Sequence, residues 1–323
     1  MTGKSCSVRA FAKINLFLDV TGRRADGYHL VNMVMQSLGL CDELFFQVCE
    51  GKDSLPGQDT LTIEAADGSD MFSGIETDGR NLVLRAVNLL RDRYPERFPR
   101  DQWLTIRLKK RILAEAGLGG GSADAAAALL AADRLFALGL SKEELADCAL
   151  QLGADVPFCL FGGTMRSEGI GEILTPVTEF PDCAIVVAKP EGSASTKAIY
   201  QGLDGRDDWQ HPDWEAFSHA LAGEDGKRDP FSCIAEQIER RTNILEPVTT
   251  PLVPEIGELI RLLRREGAAG AMMTGSGSAV FGLFAEEEVA KPAVQALQDS
   301  GLSIATFLTH TVNSKRVAEE RFF

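Results

Sequence analysis

No run of apolar residues in this chain is long enough to cross a bilayer. Lys4, Arg9 and Lys13 interrupt the N-terminus before the core of a signal peptide could form. The seven cysteines (6, 41, 49, 148, 159, 183 and 233) are odd in number, include no Cys-x-x-Cys pair, and with four scattered histidines make no zinc pattern. Reduced thiols in a cytoplasmic protein are expected. Basic residues are outnumbered, giving a formal charge of -14, which argues against broad nucleic-acid or anionic-membrane binding. An anionic substrate must then be held by a local cluster of donors rather than by the overall field. Internal repeats are absent, and so are three nucleotide-site signatures. No Gly-Lys-Ser/Thr closes a phosphate loop, because Gly3-Lys4-Ser5 lacks the preceding glycine. The dinucleotide fingerprint fits at Gly117 and Gly119 but meets Ser122 where its third glycine belongs. No His-Arg-Asp or Asp-Phe-Gly element of protein kinases occurs.

What is present is a globular chain of 323 residues, 45% hydrophobic and 25% charged, long enough for two domains with a core each. Its most informative stretch is Gly117-Leu-Gly-Gly-Gly-Ser-Ala-Asp-Ala-Ala126, a glycine-rich bend running into an alanine-rich helix. Ser122 is expected to cap that helix, whose apolar body runs through Leu129, Leu130, Leu135 and Phe136 to Gly139. Glycines let backbone N–H groups approach a ligand, and the helix start adds unpaired donors and partial positive charge. Such a bend suits phosphate. A tightly packed glycine turn is the structural alternative.

Val8 to Val20 alternates as a strand, placing Lys13 and Asn15 on one partly covered polar side. A turn is expected at 22–27, with further strands at 30–40 and 44–49. The acidic stretch 53–79 reads as a solvated excursion with a loose hairpin around Thr60–Glu64. Helices are expected at 81–93, from Ser141 with Glu144 completing a capping box, at 255–265, and at 286–299 with an interruption at Pro292. Strands are expected at 103–108, 184–188, 279–284 and 303–311, and an acidic helical or irregular insertion at 204–229. Mixed elements of this kind predict an α+β protein. Neither a heptad nor an unusually apolar surface declares an oligomeric state.

The residues that could carry chemistry lie far apart. Lys13 alone reads as an exposed strand lysine. Asp155, in Gly153-Ala-Asp-Val-Pro157, reads alone as a turn aspartate before proline. Beside a phosphate loop the two gain meaning, because phosphoryl transfer to an alcohol needs a base at the hydroxyl and a cation near the moving charge. Thr274-Gly-Ser-Gly-Ser278 is a second glycine turn, with a tight hairpin as its plain reading. Tyr28 and His29 follow a turn glycine, where the ring could stack on a ligand or pack, and the imidazole could donate to a ligand or be structural.

Ala12-Lys-Ile-Asn-Leu16, Asp26-Gly-Tyr-His29, the Gly117–Ala126 loop, Gly153-Ala-Asp-Val-Pro157, Ser195-Thr-Lys-Ala-Ile-Tyr200 and Thr274–Ser278 occur in that order. Together they resemble the superfamily of galactokinase, homoserine kinase, mevalonate kinase and phosphomevalonate kinase. Within it they are most similar to the branch that phosphorylates a cytidylated methylerythritol in non-mevalonate isoprenoid synthesis. The resemblance spans nearly the whole chain except 53–79 and 204–229. It implies a two-domain fold: a ribosomal-protein-S5-domain-2-like ATP-binding and catalytic domain over 1–165, and a ferredoxin-like α/β sandwich over 166–323 for substrate. It implies that ATP gives its γ-phosphoryl group to the 2-hydroxyl of a small molecule bearing a cytidine diphosphate group. Asp155 would be the base and Lys13 its cationic partner. The backbone of Gly117, Leu118, Gly119, Gly120, Gly121 and Ser122, with Ala116, would cradle ATP, with Mg²⁺ bridging the phosphates through protein ligands left open. Asn81, Leu82 and Lys110 match positions near the nucleotide. Tyr28 and Tyr200 would sandwich cytosine and His29 would read its polar edge, while Asn15, Thr196, Gly275, Ser276 and Gly277 complete the substrate contacts.

Leu113 stands where these kinases usually carry proline, and Ala123 where they carry a second serine. The first loosens the approach to the loop and the second removes one hydroxyl. A kinase of another alcohol, such as homoserine or mevalonate, would have no use for Tyr28, His29 and Tyr200. A non-catalytic nucleotide binder would have no need of Asp155.

Overall fold

The computed structural model describes residues 4–51, 58–204, 209–224 and 228–323. Two long antiparallel strands organise the N-terminal half, β1 (Ser5–Arg23) and β2 (His29–Glu50). The turn between them has Gly27 at φ 92 and Tyr28 N donating to Asp26 Oδ1 at 3.2 Å. Along β1 the alternating residues Val8, Ala10, Ala12, Ile14, Leu16 and Leu18 are buried, yet so are Phe11, Lys13, Asn15 and Phe17. Register shifts after Phe11 and after Asn15 explain this, because each bulge re-aims the following side chains. Val8, Ala10 and Leu18 enter one core, whereas Ala12, Ile14 and Leu16 enter another.

The expected strands 30–40 and 44–49 are a single strand, β2. The polar break at Asp42 does not turn the chain, because Asp42 is buried and paired with Lys110 Nζ at 2.5 Å. The expected hairpin at Thr60–Glu64 is instead β3 (Thr60–Ala65), parallel to β4 (Gln102–Lys110). A parallel pair needs a crossover, which α1 (Leu82–Arg93) supplies. The first sheet runs β3-β4-β2-β5-β6 with β1 also on β2, where β5 is Thr164–Gly169 and β6 is Ile173–Pro176. Packed with it are α2 (Gly120–Phe136), α3 (Lys142–Leu152) and α4 (Val156–Phe161). The alanines 123, 125–128, 131 and 132 of α2 are buried and let it lie close on α1 and β1. The capping box at Ser141 and Glu144 forms as expected.

The second sheet is antiparallel, in the order β10-β7-β9-β8: β7 (Ala184–Lys189), β8 (Gly270–Met273), β9 (Val280–Phe284) and β10 (Ala305–His310). One face meets α9 (Glu255–Arg265) and α10 (Glu287–Ser300). The other presents Ile185, Val187, Phe281 and Leu283 to Ile14, Leu16, Phe17 and Val34, so a shared apolar layer joins the sheets. The helix α10 runs through Pro292 without interruption; the carbonyl that loses its amide partner belongs to the exposed Glu288, where water can serve it. The remaining helices are α5 (Thr196–Leu203), α6 (Trp214–Ala222), α7 (Pro230–Glu239), α8 (Glu246–Thr249) and α11 (Ser314–Glu320). Of the two acidic stretches, residues 53–57, 205–208 and 225–227 lie outside the described residues, and α6 is the helical part of the second. All seven cysteines are free. Among the described residues, no helix is long and apolar enough to cross a membrane.

Candidate active site

The free edge of β1 builds the centre of the site. Lys13 N donates to Leu118 O at 3.0 Å, and Asn15 N donates to Thr274 Oγ1, also at 3.0 Å. Thr274 Oγ1 donates onward to Gly117 O at 3.4 Å, so one strand edge holds both glycine turns. Lys13 is buried, and its Nζ donates to Asn15 Oδ1 at 2.8 Å and lies 3.3 Å from Asp155 Oδ2. Asp155 occupies the N-cap position of α4, ahead of Pro157, but its side chain makes no capping bond and faces Lys13 instead. At the far end of α4 the buried Arg321 guanidinium donates to the carbonyls of Cys159 and Leu160. The C-terminal segment thereby holds the short helix that presents Asp155.

Ser122 does not cap α2. The helix starts earlier, with Gly119 at the N-cap in the left-handed conformation (φ 72), and Ser122 is its third residue. Glycine tolerates that conformation where serine does not, so the bend takes the cap position. No side chain caps the first turn, which leaves its amides open to an anion. Gly117 (φ 75) is more constrained still, since a Cβ there would stand 2.2 Å from Thr274 O.

A cavity of about 710 Å³ opens between these loops. Lys13, Asn15, Asp155, Gly117 and Gly119 line it. Tyr28, His29, Tyr200, Thr196, Gly275, Ser276 and Gly277 line the same cavity. Thr196 Oγ1 lies 2.9 Å from Ser276 Oγ, tying α5 to the second glycine turn. Tyr28 is 61% exposed, free to cover a ligand. The rings of His29 and Tyr200 lie 5.0 Å apart at 40°. Burial, and after it the Asp155 carboxylate, push the Tyr200 phenol upward, so it stays protonated.

Asn81, Leu82 and Lys110 stand outside this cavity, beside the first turn of α2. Asn81 caps α1, accepting from Val83 N at 2.9 Å, and a Cβ on Gly121 would lie 3.5 Å from Leu82. Lys110 is buried between Asp42 and Asp124, the latter at 2.7 Å. Burial alone would lower the Lys110 pKa, and the two carboxylates outweigh it and raise it. Asp42 also accepts from Arg111 N at 2.5 Å and Ile112 N at 2.9 Å. Among the described residues Asp124 Oδ1 has no hydrogen-bond partner, and burial pushes the pKa of this carboxyl upward against the pull of Lys110. Ala116 and Leu118 are buried in the apolar layer between the sheets and do not line the cavity.

Sequence reasoning passed over Arg23, Glu115, Lys197 and Asp204. The first three line the cavity, and Asp204 bonds to His29 at 2.9 Å. Glu115 has φ 50, an unusual value for a side-chain-bearing residue beside a site. A lone charged residue gives no sequence signal for any of these; only the fold brings Asp204 to His29.

The fold falls in the class of the small-molecule kinases: residues 81–163 match the family described as GHMP kinases N terminal domain, and residues 227–302 match GHMP kinases C terminal. The L. major mevalonate kinase in complex with R-mevalonate shares the fold at TM-score 0.71, with 16% identity, over 97% of this chain and 98% of that one. A 4-diphosphocytidyl-2-C-methyl-D-erythritol kinase of Lachnospira eligens is 38% identical over 308 residues, covering 95% of this chain and 99% of that protein. A crystal structure of 4-(cytidine 5'-diphospho)-2C-methyl-D-erythritol kinase superposes at TM-score 0.72 with 32% identity, over 94% of this chain and 98% of that one. The chain belongs to the 4-diphosphocytidyl-2-C-methyl-D-erythritol kinase family of the GHMP kinases. It is an ATP-dependent small-molecule kinase.

Proposed function

We propose that the protein transfers the γ-phosphoryl group of ATP to the 2-hydroxyl of 4-diphosphocytidyl-2-C-methyl-D-erythritol. The observation that carries this reading is the Asp155–Lys13 pair, in a cavity that two tyrosines and a histidine also line. A hydroxyl placed at Asp155 Oδ2 loses its proton to that carboxylate as the phosphoryl group arrives. Lys13, locked by Asn15, offsets charge developing on the attacking oxygen. The open amides at the start of α2 hold the ATP phosphates, and the cavity walls set which alcohol reaches Asp155. Lys110 acts on this by holding the start of α2 rather than by touching phosphate, because its ammonium is engaged by Asp42 and Asp124.

Mg²⁺ fits this donor set: ATP brings most of the oxygen ligands, and the hydroxyl of Ser122, free of any capping role, is a hard oxygen at the helix mouth. When bound, the ion neutralises phosphate charge. Cytosine stacks between Tyr28 and Tyr200, and His29 reads its polar edge. Stacking tolerates any base, so the hydrogen bonds carry the selectivity.

The test is an ADP-release assay with ATP and Mg²⁺ on four alcohols: cytidylated methylerythritol, methylerythritol phosphate, homoserine and mevalonate. Turnover of the cytidylated compound alone is expected. Turnover of another alcohol would keep the Lys13–Asp155 chemistry and overturn the substrate.

A further inference from the structure

Asp204 closes the C-terminal end of α5, its amide donating to Gln201 O at 3.1 Å. Its carboxylate reaches back to the β1–β2 turn. One oxygen lies 2.9 Å from His29 Nε2, the other 3.0 Å from the Arg23 guanidinium. Arg23 Nε in turn donates to Gly27 O at 3.2 Å, inside that turn. At its other end α5 is tied through Thr196 to Ser276. The helix is therefore pinned at both ends beside the cavity, with Tyr200 held against the His29 ring.

This geometry also decides which way the imidazole is protonated. A carboxylate oxygen only accepts, so Nε2 carries the proton that Asp204 receives. In the neutral imidazole the other nitrogen, Nδ1, is the acceptor. Nδ1 is then left with a lone pair.

We propose that Asp204 is the positioning residue for base recognition: it fixes the His29 tautomer and latches α5, so that the cavity prefers a 4-amino pyrimidine to a 4-oxo one. The inference rests on the cytidine reading above. A 4-amino group donates to the Nδ1 lone pair, whereas a 4-oxo group opposes it with a second acceptor. Asp204→Asn is the informative change, because a carboxamide can turn its N–H₂ towards Nε2 and leave the proton on Nδ1.

The experiment is calorimetric titration of cytidine diphosphate and uridine diphosphate into the unaltered full-length protein and the Asp204→Asn variant. ATP titrations and melting temperatures run alongside. The unaltered protein is expected to prefer the cytidine nucleotide by about tenfold or more, the scale of one satisfied against one opposed hydrogen bond. Asp204→Asn is expected to lose most of that preference through weaker cytidine binding, while ATP affinity and melting temperature hold. An unchanged preference in the variant would overturn the role of Asp204. A parallel fall in ATP affinity and melting temperature would make Asp204 structural and overturn it too. If the unaltered protein binds neither nucleotide, or both equally, the cytidine reading itself fails and Asp204 has no base to select for.

Discussion

Lys13 Nζ sits 2.8 Å from Asn15 Oδ1 and 3.3 Å from Asp155 Oδ2, so one buried ammonium joins Asn15 on β1 to Asp155 at the N-cap of α4, 140 positions along the chain. Because Asp155 is held this way while its side chain remains 31% exposed, it can face a hydroxyl without losing its partner. Asp155→Asn should lower kcat by about a hundredfold or more, the contribution of a general base. KM for ATP should stay near that of the unaltered protein. Combining it with Lys13→Met should cost little beyond the worse single change, since the two act as a unit. Steady-state kinetics on the three variants checks this, and full turnover in Asp155→Asn would make the aspartate a turn residue.

Gly117→Ala places a methyl where Thr274 O stands 2.2 Å away, on a residue at φ 75. The two glycine turns must separate or the loop must rebuild. A melting-temperature drop of about 2 °C or more is expected, the effect of roughly 1 kcal/mol or more of strain in a chain of this size. ATP binding should weaken with it. Gly68→Ala has the same left-handed backbone with nothing within 4 Å, and so separates conformational strain from the clash.

The candidate site was legible where local chemistry demanded particular residues. The alternation of β1 put Lys13 and Asn15 together, and their hydrogen bond follows from it. The glycine bend into a helix was legible, yet the cap was misplaced by three residues, because a serine signal competed with a left-handed glycine that only the backbone reveals. Two strands were expected where one runs through, with Asp42 buried in the gap between them; its partner Lys110 lies 68 residues away. Asp204 was invisible for the same reason, 175 residues from His29. What sequence could not supply were contacts between charges distant in the chain.

Lys110→Met would leave Asp42 and Asp124 buried without their cation. A loss of about 3–5 kcal/mol is expected, as for a broken buried pair. Adding Asp124→Asn should restore part of it, because Asp42 keeps the amides of Arg111 and Ile112 while Asp124 has no such donors. Urea midpoints of the single and double variants measure both. A double variant no more stable than Lys110→Met would show that Asp124 is not the strained partner.

Ala123 is buried in α2, its amide donating to Gly119 O at 2.9 Å. In Ala123→Ser the new hydroxyl can turn to that same carbonyl one helical turn back. Turnover should stay within about tenfold, the scale of one dispensable hydrogen bond. A larger change in kcat/KM for ATP would mean that the loop holds phosphate through this position rather than through its backbone.

His310, at the end of β10, lies against β2 where Gly39 leaves room: a Cβ on Gly39 would be 2.5 Å from the imidazole. Its Nε2 is buried and has no hydrogen-bond partner among the described residues. Burial, and then the positive charge of Arg316, hold its pKa below the usual 6.5, against weaker opposition from Glu320, Asp182 and Glu287. As pH falls through 6.5 the unfolded chain takes up a proton at this histidine while the folded chain does not. The unfolded state then binds more protons, so this group lowers stability as the solution becomes acidic. Thermal melts at pH 7.5 and pH 5.5 should therefore differ more for the unaltered protein than for His310→Gln, which cannot take up that proton. Equal differences in the two proteins would show that the imidazole titrates alike folded and unfolded, and that water reaches it at the junction of the sheets.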